Sequence, residues 1–245
     1  MAGIPEAVPS AADTPGEAAY RRLRADVIAG RLAPGRRLGL DGLRHIYGAG
    51  VSTLREALTR LASEGLVVAE GQRGFSVAPV SIEEFAEIAD LRLLLERHAI
   101  RESFAAGDLD WEGRVVGAHH KLAVIERRLL AGEAADPALW NRCDLEFHRA
   151  LIGACGSAEL MDAYTGAYDR YLRYQIVALA FRGAVAAEQH AALLAAALAR
   201  DAAAACEVLE AHVVGCVEHV ARTGALQPFA PRRPRSPSAP RRAAG

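Results

Sequence analysis

Four side chains in the second half of this sequence have the types and spacing to hold one metal ion. Asp144 and His148 stand four apart, so on one helix they project from the same face and can share an ion. His190 and His212 lie 10 residues before and 11 after a break at Arg200 and Asp201. In an antiparallel helix pair they come level, each roughly 15 Å from the turn at ~1.5 Å per residue. One carboxylate and three imidazoles make a borderline-soft donor set, suited first to zinc and, depending on supply and geometry, to nickel, manganese or iron. His219, seven residues after His212 with Cys216 between, points the same way and is expected behind the ligands or in the core. His45, His98 and the adjacent His119 and His120 read as ordinary surface or core histidines.

Such a site needs helices that bring distant turns level, and the chain is patterned for them from residue 81 onward. Leu, Ile, Val and Ala recur at helical spacing over 82–106, 111–130, 137–154, 158–181, 185–200 and 202–223. Breaks fall at Gly107, Gly132, Gly156, Gly183 and around Asp201. The expected body is an all-α bundle of about six helices spanning 81–224. Residues 1–16, rich in Ala, Pro and Gly, are expected to be disordered, and so is the Pro-, Arg-, Ser- and Ala-rich tail 225–245, which cannot bury enough apolar surface to fold. The five arginines of that tail read as a solvated end.

Residues 48–75 have a different texture. Thr53 followed by Glu56 fits a capping box, so a helix is expected to start near Thr53. Leu54, Leu58 and Leu61 form its buried stripe and leave Ser52, Arg55, Thr59 and Arg60 on a polar side that can meet a partner. Gly65 suits the left-handed residue past a helix end. Leu66, Val67 and Val68 then read as a strand, and 75–78 as a second, joined by Gly71, Gln72, Arg73 and Gly74. Upstream, Leu40, Leu43 and Tyr47 mark a shorter helix, and 48–50 supply the turn between the two. Helix, turn, helix and wing make a winged helix-turn-helix over 17–80.

Charge supports a nucleic-acid partner for that module. The whole chain carries −1, yet residues 17–80 hold 10 Arg against 6 acids, net +4, while 81–224 hold 14 basic against 22 acidic side chains, net −8. A basic module on an acidic body concentrates phosphate attraction on one face, and such binding weakens steeply as salt rises. No apolar run approaches the roughly 20 residues that span a bilayer, and the first residues lack the pattern of a secretory signal. A cytoplasmic location is expected, with no membrane partner. The four cysteines, Cys143, Cys155, Cys206 and Cys216, show no C-x-x-C spacing and are expected as reduced core residues.

At this point the sequence resembles the GntR-type bacterial transcription regulators. The matching residues are 27–30, Leu32 with Pro34 and Gly35, Leu38, Tyr47, LREAL at 54–58, Leu61, EGLV at 64–67 and RGFSV at 73–77. Many relatives have Ser, Arg, Thr and Pro where this chain has Gly50, Val51, Ser52 and Thr53, so their base-reading Arg is a valine here. Arg55 becomes the first candidate for a DNA contact, since a guanidinium near the start of a recognition helix can donate two hydrogen bonds to guanine or bind a phosphate. Ser52 and Thr53 can donate to phosphate, Thr59 shares their face, and Arg73 with Gly74 can bring the wing to the DNA backbone or minor groove.

The body resembles the FCD ligand-binding domain over 83–222. The resembling motif is DLEFH at 144–148, EQH at 188–190 and His212 22 positions on. The resemblance implies a metal in the bundle that helps hold a small organic acid, with Arg92 placed to contact the acid's carboxylate. Pairing of Arg92 with Glu96, one turn later, is the competing role. The turn 47–50 followed by LREAL looks most like the branch that regulates glutarate or carbon-starvation operons, which points to a dicarboxylate.

The expected protein is therefore mainly α, a homodimeric repressor that reads an imperfect palindrome in double-stranded DNA and responds to a small organic acid. Two other readings exist. A helical-bundle metalloenzyme lacks its signatures, since no histidine has a Glu three positions before it and no HExxH pair, Walker loop or Gly-x-Ser-x-Gly elbow occurs. A winged-helix protein adaptor is disfavoured by the +4 module.

Overall fold

The computed structural model describes residues 14–133, 137–178 and 181–229. Helix α1 (Pro15–Ile28) starts where the Thr14 side chain accepts a hydrogen bond from the Glu17 amide, and Pro15 takes a first-turn position where its missing N–H costs nothing. Pro15 and Gly16, assigned above to the disordered terminus, thus belong to the folded chain; residues 1–13 lie outside the described residues. α2 (Leu40–Tyr47) ends at Gly48, whose φ of 66° turns the chain toward α3 (Val51–Ser63).

The capping box at Thr53 does not form. α3 begins two residues earlier, with Gly50 as its N-cap and no side chain capping it. Thr53 turns toward α1 instead, its Cγ2 3.3 Å from where a Cβ on Gly16 would stand. Packing between two helices has taken the side chain that local chemistry would use as a cap.

Strands β2 (Val67–Ala69) and β3 (Phe75–Val77) pair antiparallel, with Val68 opposite Ser76. A third strand, β1 (Arg37–Leu38), pairs with the other edge of β3, giving the order β1-β3-β2. Two residues carry no readable alternation, so β1 has no signature in the sequence. Arg37 also donates to the Arg73 carbonyl at 3.2 Å, tying the wing's turn to this strand.

The body comprises α4 (Ile82–Ala106), α5 (Leu109–Leu130), α6 (Pro137–Leu151), α7 (Ala158–Ala178), α8 (Ala184–Leu198) and α9 (Ala202–Thr223). Ser81, Asp108 and Asp201 cap α4, α5 and α9 by accepting amide hydrogen bonds. α4 packs on α7 and α9, α5 packs on α6 and α8, and α8 folds back along α9 through a turn with Arg200 at φ 58°. Past Gly224 the chain continues into a short turn of 3-10 helix (Gln227–Phe229), burying Leu226 and packing Phe229 against the core, so the folded body extends beyond residue 224. The rest of the expected disordered tail, 230–245, lies outside the described residues.

One helix joins the two halves. Arg24 of α1 donates to Glu64 past the end of α3 and to Asp169 of α7, each at 2.7 Å. Arg173 of α7 donates to the Ala78 carbonyl, and Tyr174 donates to Glu84 at 2.8 Å.

Candidate functional site

The four residues picked out by spacing meet in the middle of the body. Asp144 and His148 come from α6, His190 from α8 and His212 from α9. All four are buried, and one ligand atom from each lies within 4.8 Å of the others. The rings of His190 and His212 are 4.6 Å apart, as expected for level positions on an antiparallel pair.

The atoms facing one another are those that lack partners. Asp144 Oδ1, His148 Nε2 and His190 Nε2 are buried without a hydrogen bond. His190 Nε2 lies 3.1 Å from Asp144 Oδ1 and His148 Nε2 lies 3.9 Å from it, but neither contact has hydrogen-bonding geometry. Burying a carboxylate oxygen and two ring nitrogens unpaired costs free energy unless a further group satisfies them. The residues present therefore fit a metal ion by their donor chemistry.

A second layer aims these side chains, and most of it was not legible in the sequence. His148 Nδ1 sits 2.6 Å from Glu96 of α4 and His190 Nδ1 sits 2.7 Å from Glu126 of α5. With Nδ1 donating to a carboxylate, each Nε2 keeps its lone pair for an ion. Trp140 Nε1 donates to the same Glu126 oxygen at 3.4 Å. Tyr168 donates to Asp144 Oδ2 at 2.5 Å, which leaves Oδ1 as the free oxygen. His212 Nδ1 lies 3.2 Å from both Gln189 Oε1 and Arg182 Nη2. Only Glu96 left a trace in the sequence, as the residue one turn after Arg92.

Charge in this interior is balanced locally. Burial opposes ionisation of Asp144, yet His190 and His148 hold its carboxyl well below the usual range. Burial likewise disfavours a charged His190, but Asp144 and Glu126 outweigh it and push the group up to about 9. His212 is driven well below its ordinary value by burial and by the neighbouring His190 and His148, and so stays neutral. A metal ion held here would take the place of the second proton on His190, so its uptake would be linked to proton release.

Arg92 makes the pairing with Glu96 that its spacing suggested, through one nitrogen only. Its Nε donates to Glu96 Oε2 at 2.9 Å with both side chains fully buried. Its two terminal nitrogens have no hydrogen-bond partner. They belong to a guanidinium held 4.6 Å and 4.5 Å from the ring centres of Tyr168 and Tyr171. Glu96 thus bridges Arg92 to His148, and Tyr168 bridges Arg92 to Asp144.

His219 does not join the cluster. One helical turn is about 5.4 Å, so two turns carry it roughly 10 Å from His212. It is half-buried, 3.4 Å from Arg222.

On the basic module, Ser52, Arg55, Thr59 and Arg73 are exposed, while Thr53 and Gly74 are half-buried. The structure adds Arg36, Arg37, Arg44 and His45 to the exposed basic side chains of the module. Their spacing follows no single helix, which is why the sequence does not group them.

Residues 15–77 match the family model described as bacterial regulatory proteins, gntR family, and residues 87–215 match that of the FCD domain. The chain is 38% identical over 213 residues to BphR, an uncharacterized HTH-type transcriptional regulator of Paraburkholderia xenovorans, covering 86% of this chain and 87% of the relative. It is 34% identical over 204 residues to the HTH-type transcriptional repressor GlaR of Escherichia coli, covering 80% and 90%. Among solved structures, E. coli McbR/YncC superposes with a TM-score of 0.71 at 20% identity, over 86% of this chain and 99% of that one, a likeness of fold. Both families and both curated relatives are transcription regulators, which sets the metalloenzyme aside.

Replacing Arg92 by Ala leaves Glu96 buried with only His148 beside it. The expected cost is about 3–5 kcal/mol of stability, since breaking a buried pair strands a charge. Denaturant unfolding of the Arg92→Ala protein, compared with wild type, measures it.

Proposed function

Because the chain belongs to the gntR family of bacterial regulatory proteins and carries an FCD domain, we propose that this DNA-binding transcription regulator is a repressor controlled by a small organic acid bound beside a divalent metal. The observation that carries this reading is the set of unpaired buried atoms on Asp144, His148 and His190, facing one another, together with the two unpartnered nitrogens of Arg92, whose guanidinium stacks on the Tyr168 ring that donates to Asp144. Three nitrogen donors and one oxygen favour zinc, with nickel, manganese or iron as alternatives. When bound, the ion supplies positive charge to the interior. Arg92 then offers two parallel donors, the geometry that a carboxylate accepts in a bidentate pair. The resemblance of residues 47–58 to the glutarate-linked branch makes a dicarboxylate the favoured effector. The repressor role follows GlaR, which is described as one.

Two copies are needed for such a protein to read the two halves of an imperfect palindrome, and we assign it as a homodimer acting in the cytoplasm, where its DNA is. Among the described residues no helix is long and apolar enough to cross a membrane. Arg55, Ser52, Thr53 and Thr59 of α3 are assigned to the major groove and its phosphates, and Arg73 with Gly74 to the wing contact. Residues 17–80 and 81–224 serve as the output and sensing domains.

Helix α7 couples them. Tyr164, Tyr168 and Tyr171 recur at four and three residues and face Asp144 and Arg92; Asp169 and Arg173 lie on the other side and hold Arg24 and the Ala78 carbonyl, and Tyr174, at the edge between the two, holds Glu84. An acid that shifts the tyrosine face shifts the docking face with it. It alters DNA affinity only through a preference for one of two arrangements.

Three measurements test this reading. Purified wild-type protein is expected to carry about one zinc per chain by elemental analysis, and His190→Ala with His212→Ala to lose it; equal metal content in wild type and double variant removes these ligands. On a duplex selected by the protein from a random pool, Arg55→Ala should weaken binding by about tenfold or more, the order of one bidentate base contact at roughly 1–3 kcal/mol. Asp169→Ala should keep its metal and its glutarate binding by calorimetry, yet lose most of the glutarate-dependent change in DNA affinity that wild type shows.

A further inference from the structure

Helix α4 buries one side against α7 and α9 and presents the other to solvent, and that outer side carries a symmetric pattern. Leu94, at 69% exposure, is among the most exposed large apolar side chains described, and Leu91 beside it is 42% exposed. On the same stripe lie Glu87 and Asp90 toward the N-terminus, and His98 and Arg101 toward the C-terminus, all exposed. Their offsets from Leu94 are −7, −4, +4 and +7. These are the spacings at which helical residues share a face. None of the four pairs with another charged side chain among the described residues.

The helix dipole does not account for this distribution. Its preference for acids at the start and bases at the end acts within the first and last turn. Glu87, Asp90, His98 and Arg101 all lie inside a 25-residue helix, beyond its terminal turns. What the pattern does match is itself reversed. A second α4 laid antiparallel, with the two-fold axis at Leu94, sets Leu94 on Leu94 and brings each acidic half opposite the other copy's basic half.

We propose that this outer face of α4 is the surface on which two copies of the chain pair, with Leu94 on the two-fold axis. The inference rests on the homodimer reading above and deepens it by naming the face. An isologous contact requires each patch to complement itself, and the row of Glu87, Asp90, Leu94, His98 and Arg101 does so in charge, with Leu94 set on its own copy. About 14 residues of helix, roughly 21 Å at 1.5 Å per residue, then lie in contact. Sited on α4, whose buried side carries Arg92 and Glu96, the pairing joins the two sensing centres through one pair of helices.

The test uses the full chain and its mass in solution by sedimentation equilibrium. Wild type is expected at twice 26.1 kDa. A basic variant, Glu87→Arg with Asp90→Arg, and an acidic variant, His98→Glu with Arg101→Glu, should each raise the dimer dissociation constant by about tenfold or more. Mixed together they should form a one-to-one pair, because the basic face of one now opposes the acidic face of the other. Leu94→Cys should give a covalent dimer under mild oxidation, whereas Leu109→Cys, a more exposed control, should not. If wild type is a dimer but both charge variants also dimerise normally and Leu94→Cys fails to cross-link, the α4 face is wrong and the dimer stands. A wild type that stays monomeric at high concentration sinks the homodimer reading itself.

Discussion

Ionisable groups buried at the centre of the body are the constraint on which the rest of the structure depends. Glu96, Glu126, Asp144, His148, His190, His212 and Arg92 are all withdrawn from water, in an interior where an unpaired charge is costly. They stay there because each is held by a neighbour: Glu96 by Arg92 one turn away and by His148 of α6, Glu126 by His190 of α8 and Trp140 of α6, Asp144 by Tyr168 of α7. Helices α4 to α9 all contribute to this network. Bundle geometry and site geometry are therefore one arrangement, and a shift of any helix alters several buried pairs together. What the network leaves unpaired are Asp144 Oδ1, His148 Nε2 and His190 Nε2, which converge between α6 and α8, and the two terminal nitrogens of Arg92.

Under the proposed function, the same arrangement would let the buried site reach a DNA-binding module some distance away along the chain. α7 has two faces with different tasks, a tyrosine stripe toward the centre and a charged side toward α1 and the start of α4. Arg24 is the link on the other side, since one guanidinium holds Glu64 behind the recognition helix and Asp169 on α7. A rigid helix with both ends of the contact on it transmits a rotation or slide without any change of its own fold.

Much of the architecture was legible because it rests on local physics. The six helices of the body follow apolar spacing and lie within about three residues of the expected bounds, since Gly107, Gly132, Gly156 and Gly183 interrupt the pattern where the chain turns. The winged helix was legible for the same reason. Where local chemistry and packing compete, packing prevailed, as at Thr53, which contacts α1 rather than capping α3. β1 escaped notice because two residues have no period, and the end of the body was set too early because Leu226 is buried only through contact with distant residues.

Asp144, His148, His190 and His212 could be named from sequence because their spacing along α6 and about the α8–α9 turn is local information, and helical rise converts it directly into position. The partners that give those side chains their orientation could not. Glu126 and His190 are 64 residues apart and Tyr168 and Asp144 are 24 apart, and nothing in their spacing distinguishes them from other acids and tyrosines. Sequence by itself determined which elements form, which side chains face inward and which residue types are available as donors, because each of these depends on near neighbours in the chain. Only the tertiary structure decided which buried carboxylate meets which ring and which atoms remain unpaired, because those depend on how six helices pack against one another.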